Sequence, residues 1–299
     1  MVRALFPVLL LAAVSASYAP SADAAAHHGK RAHRAAAAAA AQPALSPEEA
    51  QKELMRLRVN ARHALVLEEG SGKVVLSKDA DAVVPIASLT KLMTAMVVLD
   101  AKLDPRETLR VDADDVDTLK HSASRLRVGA ELSRVDALKL ALMNSENRAA
   151  AALARTFPGG LRGFDLAVQA KIRSLGLTRT ALADPTGLSP QNTSTASEVA
   201  KIVEAASRYP EIVRITSQKS DEVPVNGRTR EVHNTNHLVG GKGWDIQLSK
   251  TGYTEEAGRC LTMRMKTGER FYTVVLLDAD GSAQRLRDAA KIRQTLARM

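Results

Sequence analysis

One segment of the sequence pairs a serine with a lysine at a spacing suited to acyl transfer. Ser88-Leu89-Thr90-Lys91 is followed by helix-forming residues to about Ala101. The apolar spacing is that of a buried helix, so we expect Ser88 at a helix N-terminus and Lys91 one turn later on the same face. A serine needs a base within hydrogen-bond reach, and a lysine held neutral by burial can be that base. Alone, the spacing also fits a helix-capping serine followed by a solvated lysine.

Two later segments complete a recognisable set. Ser145-Glu146-Asn147 forms an S-x-N triplet, and Lys250-Thr251-Gly252 lies in a strand-like stretch. S-x-x-K, S-x-N and K-T-G in this order are the signature of penicillin-binding proteins and serine β-lactamases. A second K-T-G, Lys266-Thr267-Gly268, precedes an acidic residue between two strand-like stretches, and we interpret it as a hairpin turn.

With these motifs the chain resembles the low-molecular-mass penicillin-binding proteins, the family of D-alanyl-D-alanine carboxypeptidases and endopeptidases. The resemblance runs from about residue 64 to the C-terminus. It is carried by the segments IASLTKLMTAMVVLD, MNSENRAAAALA, PTGLS, NTNHL and LSKTGYTEEAG. We also expect that the chain lacks the additional C-terminal β domain and the amphipathic anchor of many carboxypeptidase relatives.

The resemblance implies a role for the residues of the first two motifs. Ser88 would attack the carbonyl of a D-alanyl peptide bond, and Lys91 would take its proton. Ser145 would relay a proton toward the leaving amine. Asn147 would hydrogen-bond either the substrate backbone or the Lys91 side chain.

The resemblance also implies how the third motif holds the substrate. The cationic side chain of Lys250 and the hydroxyl group of Thr251 would hold the anionic end of the substrate. Gly252 would let a substrate strand approach the backbone closely. The backbone N–H groups of Ser88 and Tyr253 would form the oxyanion hole.

The activity implied is that of a periplasmic serine peptidase acting on peptidoglycan stem peptides through an acyl-enzyme. β-Lactams would inhibit it, and no cofactor or metal is implied. The resemblance favours endopeptidase cleavage of D-alanyl cross-links. Release of a terminal D-alanine is the alternative, because both reactions need the same acyl transfer.

Two other functions are less well supported by the sequence. A class A β-lactamase needs a glutamate that activates the deacylating water, and no E-x-x-L-N segment lies between Asn147 and Lys250. A relative that only binds the cell wall and has lost catalytic activity would not need the three motifs, yet every motif residue is present. The sequence therefore favours a peptidase over both.

The N-terminal region has the composition of an exported chain. Residues 1–24 are expected to be a signal peptide, in which a basic residue and an apolar core precede the A-x-A site Ala22-Asp23-Ala24. Residues 25–45 are rich in alanine, histidine and basic side chains, and we interpret them as a spacer. A tether that touches anionic cell wall is the alternative. Residues 46–299 would then form the peptidase domain, without a transmembrane segment.

The order of predicted elements indicates the fold class. Strands at 63–67 and 73–77 form a hairpin, residues 104–175 have a helical pattern, and strands return around 245–278. An apolar stripe ending at Leu296 predicts a closing helix. Strands, inserted helices and strands again predict an α+β fold. We expect an antiparallel sheet flanked by helices with an inserted helical subdomain, similar to the β-lactamase and transpeptidase-like fold.

The remaining distinctive residues have structural interpretations. Cys260 is the only cysteine, which excludes an intramolecular disulfide, and we expect it in the core. Trp244 is predicted to be a packing anchor. His233 and His237 have a spacing seen in metal sites but no accompanying acidic or cysteine cluster. The formal charge of +9 includes basic residues of the N-terminal region, so anionic cell wall explains it better than nucleic acid.

Overall fold

The computed structural model describes residues 46–299; the predicted signal peptide and spacer lie outside the described residues. The strands are β1 His63–Glu68, β2 Val74–Lys78, β3 Val84–Pro85, β4 Thr108–Arg110, β5 Glu131–Ser133, β6 Thr193–Ser194, β7 Ser220–Val225, β8 Arg228–His233, β9 Asp245–Thr254, β10 Gly258–Thr267 and β11 Arg270–Ala279. The helices are α1 Pro47–Arg56, α2 Lys91–Asp100, α3 Arg134–Met143, α4 Asn147–Arg155, α5 Gly160–Ser174, α6 Ala196–Ala206, α7 Pro210–Ser217 and α8 Ser282–Leu296. Among these described helices, none has the length and apolar character needed to cross a membrane.

A five-stranded sheet in the order β2-β1-β11-β10-β9 has antiparallel neighbours throughout. Successive side chains of β11 point to opposite faces. Val274 and Leu276 join a core with Ile292 of α8, whereas Val275 and Leu277 join the core of the helical region. Helices therefore cover both faces, and the predicted α+β architecture is confirmed.

Helix α2 is buried on every side. Each residue from 91 to 98 is buried, so the helix has no solvent-facing stripe. Its neighbours are helices α3, α4, α5, α6 and α7. A 3₁₀ turn, Ala87–Thr90, leads into it, and Ser88 lies in this turn rather than at a helix cap. Ser88 was predicted at the N-terminus of an α-helix, and it lies instead in the 3₁₀ turn that precedes this helix.

The expectation of a helical pattern throughout residues 104–175 is wrong for its first part. Leu109 of β4 pairs with Leu132 of β5, and apart from the short 3₁₀ helix Ala113–Asp115 the helices start only at α3. Aspartates explain the difference, because their carboxylates bind nearby backbone N–H groups and so compete with helix formation. The Asp104 carboxylate accepts from the N–H of Arg106, and Asp117 accepts from three N–H groups that follow it.

Two glycines enclose the turn that carries Ser88. A Cβ on Gly252 would lie 3.0 Å from the Ser88 nitrogen, and a Cβ on Gly187 would lie 2.0 Å from the Ala87 carbonyl oxygen. Gly187 also has a φ of +82°, which side-chain-bearing residues rarely adopt. The segment that lies close to Gly252 is thus the Ser88 turn of the protein itself. The close approach of a substrate strand to Gly252 stays a prediction.

We expect Gly187→Ala to lower the free energy of unfolding by about 3 kcal/mol or more, because its new methyl group would overlap a backbone carbonyl. Gly227→Ala is the matched control, since Gly227 has a φ of +70° but open space around it. Its cost should be about 1 kcal/mol from backbone conformation alone. Urea unfolding of both variants measures the difference, and equal stabilities would contradict this account.

Candidate active site

The fold brings the three sequence motifs together around two buried lysines. Ser88 comes from the 3₁₀ turn before α2, Ser145 from the connection between α3 and α4, and Lys250 from the middle of β9. Lys91 Nζ lies 3.0 Å from Ser88 Oγ, and Lys250 Nζ lies 2.9 Å from Ser145 Oγ. Each serine therefore has its own lysine as a partner.

The Lys91 amine has three oxygen neighbours. Besides Ser88 Oγ, its nitrogen lies 2.8 Å from Asn147 Oδ1 and 2.6 Å from the Thr186 carbonyl oxygen. A neutral amine has two N–H donors and one lone pair. If the donors bind the amide and carbonyl oxygens, which only accept, the lone pair is left for the Ser88 hydroxyl. This arrangement suits proton transfer from the serine to the lysine.

The environment of Lys91 favours its neutral form. The side chain is only 1% exposed. Burial lowers the pKa of Lys91 from its ordinary 10.5 to about 7, against the opposing negative charges of Asp184 and Glu146. A large fraction of Lys91 is therefore neutral near neutral pH, as a general base requires.

A short loop, residues 184–189, holds the carbonyl that Lys91 contacts. The Asp184 carboxylate accepts hydrogen bonds from the N–H groups of Thr186 at 2.6 Å, Gly187 at 2.8 Å and Ser189 at 2.8 Å. The Asn192 amide in turn bridges the N–H and the carbonyl of Asp184. The PTGLS segment was part of the family resemblance, but no residue of this loop was predicted to have a role. The sequence signal for the loop is Asp184 two residues before Thr186, since an aspartate in a turn commonly binds the N–H two residues on.

Ser145 and Lys250 form the second serine–lysine pair. Ser145 adopts a left-handed conformation with φ of +64°, at the connection between the two helices. Lys250 Nζ also donates to the carbonyl of Thr251 at 3.0 Å and is 1% exposed. Burial lowers the pKa of Lys250 well below its ordinary value, and the positive charges of Lys91 and Arg285 lower it further. An anionic group beside Lys250 would favour its protonated form.

Asn147 is held from both sides of its amide group. Its oxygen accepts from Lys91, and its Nδ2 donates to Ser122 Oγ at 2.9 Å. Of the two hydrogen-bonding roles predicted for Asn147, the structure contains the contact with Lys91.

The segment after β8 supports β9 through its polar side chains. Thr251 Oγ1 donates to Thr235 Oγ1 at 2.7 Å, and Asn236 Nδ2 donates to Ser249 Oγ at 2.8 Å. Asn234 accepts from the N–H of Asn236 and thereby shapes the turn. The NTNHL segment is thus placed against the K-T-G strand.

Strand β9 lies at the edge of the five-stranded sheet, beside the Ser88 turn. Alternate N–H and carbonyl groups on its outer side therefore have no partner strand among the described strands. Tyr253, at the end of the motif, is 49% exposed, and the Arg259 guanidinium lies 3.5 Å from the centre of its ring. This open edge next to Ser88 suits an extended peptide.

The secondary candidates occupy other positions. Lys266-Thr267-Gly268 lies at the β10–β11 turn, as predicted. Cys260 is fully buried, and burial raises the pKa of its thiol to about 11. Trp244 packs on the core beneath α8, with the Arg293 guanidinium 5.0 Å from its ring centre.

The two histidines considered for metal binding, His233 and His237, line one surface cavity. Within residues 46–299, no three histidine, cysteine, aspartate or glutamate side chains are grouped so that they could hold a metal ion. The two histidines are therefore considered below only as part of that cavity.

Comparisons with known proteins identify the family of the chain. A family model described as D-alanyl-D-alanine carboxypeptidase, of peptidase family S11, matches residues 48–281. The D-alanyl-D-alanine endopeptidase of Pseudomonas aeruginosa is 45% identical over 235 residues, covering 78% of this chain and 76% of the relative. The D-alanyl-D-alanine endopeptidase of Escherichia coli is 44% identical over 232 residues, covering 77% and 75%.

Solved structures show the same fold. Penicillin-binding protein D2 of Listeria monocytogenes in a cefotaxime-bound form matches with a TM-score of 0.71 at 27% identity, covering 80% of this chain and 98% of that one. The Streptomyces K15 DD-transpeptidase matches with a TM-score of 0.75 at 23% identity, covering 81% and 99%. Since relatives above 40% identity span over two thirds of its length, the chain belongs to the D-alanyl-D-alanine peptidases of family S11, which are hydrolases.

Proposed function

We propose that the protein is a serine-type D-alanyl-D-alanine endopeptidase that cleaves peptidoglycan cross-links through a Ser88 acyl-enzyme. The contact between Ser88 Oγ and the buried Lys91 amine carries this proposal, because it supplies both nucleophile and base. The endopeptidase name of the relatives at 45% and 44% identity supports the choice of substrate.

Acylation begins when neutral Lys91 takes the proton of Ser88. The Ser88 oxygen then forms a bond to the D-alanyl carbonyl carbon, and the carbonyl oxygen becomes an oxyanion. The N–H groups of Ser88 and Tyr253 stabilise this oxyanion. An extended substrate lies along the open edge of β9, and the Asn147 amide binds its backbone beside Lys91.

Departure of the amine completes acylation. Ser145 donates its hydroxyl proton to the leaving nitrogen as the carbon–nitrogen bond breaks, and adjacent Lys250 supports this transfer. The proton that Lys91 took from Ser88 then passes to Ser145, so that Lys91 is neutral and Ser145 is a hydroxyl group again. Lys250 and Thr251 bind the carboxylate at the end of the substrate. A water then attacks the Ser88 ester, with Lys91 again as the base, and the free serine returns.

Removal of a terminal D-alanine is the second candidate. It is supported by the description of the family model and by a D-alanyl-D-alanine carboxypeptidase of Bacillus subtilis at 30% identity. The endopeptidase reaction is preferred because the relatives with that name are more similar. Both activities would use the same residues, so the leaving group distinguishes them.

Two finer aspects of function belong to the same proposal. The predicted signal peptide supports a periplasmic location, where peptidoglycan is accessible. The cefotaxime-bound and ampicillin-bound forms of the Listeria relative support acylation of Ser88 by β-lactams.

The proposed nucleophile is tested with Ser88→Ala. Penicillin should add one acyl group to the mature protein at Ser88, and the variant should gain none. Cleavage of cross-linked muropeptide dimers to monomers should fall by about 10⁴-fold or more, because the nucleophile is lost. Mass spectrometry and chromatography of muropeptides measure both outcomes. Unchanged wall cleavage by Ser88→Ala would refute the assignment, and D-alanine release without dimer cleavage would indicate a carboxypeptidase.

The proposed base predicts a pH dependence. Only neutral Lys91 accepts the Ser88 proton, and its neutral fraction grows as pH rises through its pKa of about 7. The rate of Ser88 acylation should therefore rise roughly tenfold between pH 6 and pH 8. Glu146→Gln removes a charge that raises the pKa of Lys91, so the midpoint should move to lower pH. A rate that stays constant from pH 6 to pH 8 would contradict the role of Lys91.

The proposed anion site predicts that Lys250→Ala weakens capture of penicillins with a free carboxylate. Acylation by the free acid should slow by about tenfold or more, because a charge-assisted hydrogen bond is lost. The matched penicillin methyl ester lacks that charge and should lose less. Acylation rates of wild type and variant with both compounds measure the effect. Unaltered acylation by the free acid would count against this role.

A further inference from the structure

A polar cavity of about 450 Å³ opens beside Ser145. Its lining residues include Arg125, Asn144, Ser145, Thr235, His233 and His237. Neither Ser88 nor Lys91 lines it. The mechanism described above uses Ser145 and Asn147 of its lining and gives no role to the arginine and histidines on its other side.

The position of Ser145 indicates what the cavity can receive. Ser145 is the proposed proton donor to the leaving amine, so the chain attached to that amine must begin next to its hydroxyl group. Thr235 binds the Thr251 hydroxyl, which makes the cavity continuous with the K-T-G strand. The cavity therefore lies where the amine side of the substrate emerges.

The size of the cavity favours a large leaving group. Its volume lies within the range of pockets that bind small ligands. A terminal D-alanine would leave most of it empty. In a cross-linked substrate the amine carries a second stem peptide, which could extend through it.

The charges around the cavity favour an anionic peptide. Arg125 is exposed on its rim, and the Arg230 guanidinium donates to the Arg125 carbonyl at 3.1 Å, which places a second cation nearby. Two histidines, His233 and His237, also line the cavity. One of them, His233, has the Glu231 carboxylate 3.9 Å away.

One carboxylate also lines the cavity. Glu146 is 8% exposed and accepts a hydrogen bond from Ser124 Oγ at 2.5 Å. The Glu146 carboxylate is therefore buried at the cavity wall, whereas the Arg125 side chain is exposed to solvent. The cation is thus better placed than the carboxylate to meet an incoming peptide.

We propose that this cavity binds the amine-side peptide of a cross-linked substrate, and that Arg125 recognises a carboxylate on that peptide. This carboxylate is separate from the one held by Lys250. The inference rests on the proposed endopeptidase function and makes Arg125 a determinant of specificity for cross-linked over single-chain substrates.

The test compares Arg125→Ala with Arg127→Ala. Arg127 is exposed two residues further along and does not line the cavity, so its loss controls for net charge. The substrates are cross-linked muropeptide dimers with free carboxylates on the amine-side peptide and the same dimers in which the carboxylate beside the leaving amine stays free and the other carboxylates of that peptide are amidated. Acylation of Ser88 by penicillin serves as the control for intact chemistry.

Wild type and Arg127→Ala should cleave the free-carboxylate dimers about tenfold faster than the amidated ones, as expected for one charge-assisted contact. Arg125→Ala should lose this preference through a lower kcat/KM for the free-carboxylate dimers, with penicillin acylation unchanged. Equal cleavage of both dimers by wild type would overturn the inference and leave the endopeptidase proposal standing. Acylated enzyme that cleaves neither dimer would refute the endopeptidase proposal and this inference with it.

Discussion

The burial of two lysines in one small site is the constraint on which the rest of the structure depends. Lys91 and Lys250 are each 1% exposed, and the charge of one disfavours the charge of the other. The fall of the Lys91 pKa from 10.5 to about 7 means that protonation is about 5 kcal/mol less favourable than in water. Polar groups that accept hydrogen bonds from the Lys91 amine offset part of the cost of burying it. The amide of Asn147 and the carbonyl of Thr186 are two of them.

The packing around the site explains how these polar groups stay in place. Helix α2 is enclosed by other helices, so Lys91 cannot turn toward solvent without disturbing the core. The Ser88 turn is confined between Gly187 and Gly252, which leave no room for displacement. The Asp184 carboxylate then fixes the loop that supplies the Thr186 carbonyl. Rigid surroundings of this kind keep the polar groups oriented before a substrate binds.

Much of this arrangement could be predicted from the sequence, because side-chain chemistry and local periodicity carry it. The three motifs, the first hairpin and the closing helix follow from residue types at fixed spacing. The Thr186 carbonyl could not be predicted as a partner of Lys91, since every residue has a carbonyl and only long-range packing selects one. The helical expectation for residues around Asp104 and Asp117 was wrong because these side chains bind the backbone locally, and apolar periodicity does not reveal that competition.

The burial of Cys260 has a consequence outside the catalytic site. At the periplasmic location proposed above, thiols are oxidised and exchange disulfides. A single cysteine on the surface could there link two molecules by mistake. In the middle of β10 the thiol is out of reach of oxidants, and its pKa of about 11 leaves almost none of the reactive thiolate. The chain can therefore keep one reduced cysteine without needing a partner thiol or a protective reductant.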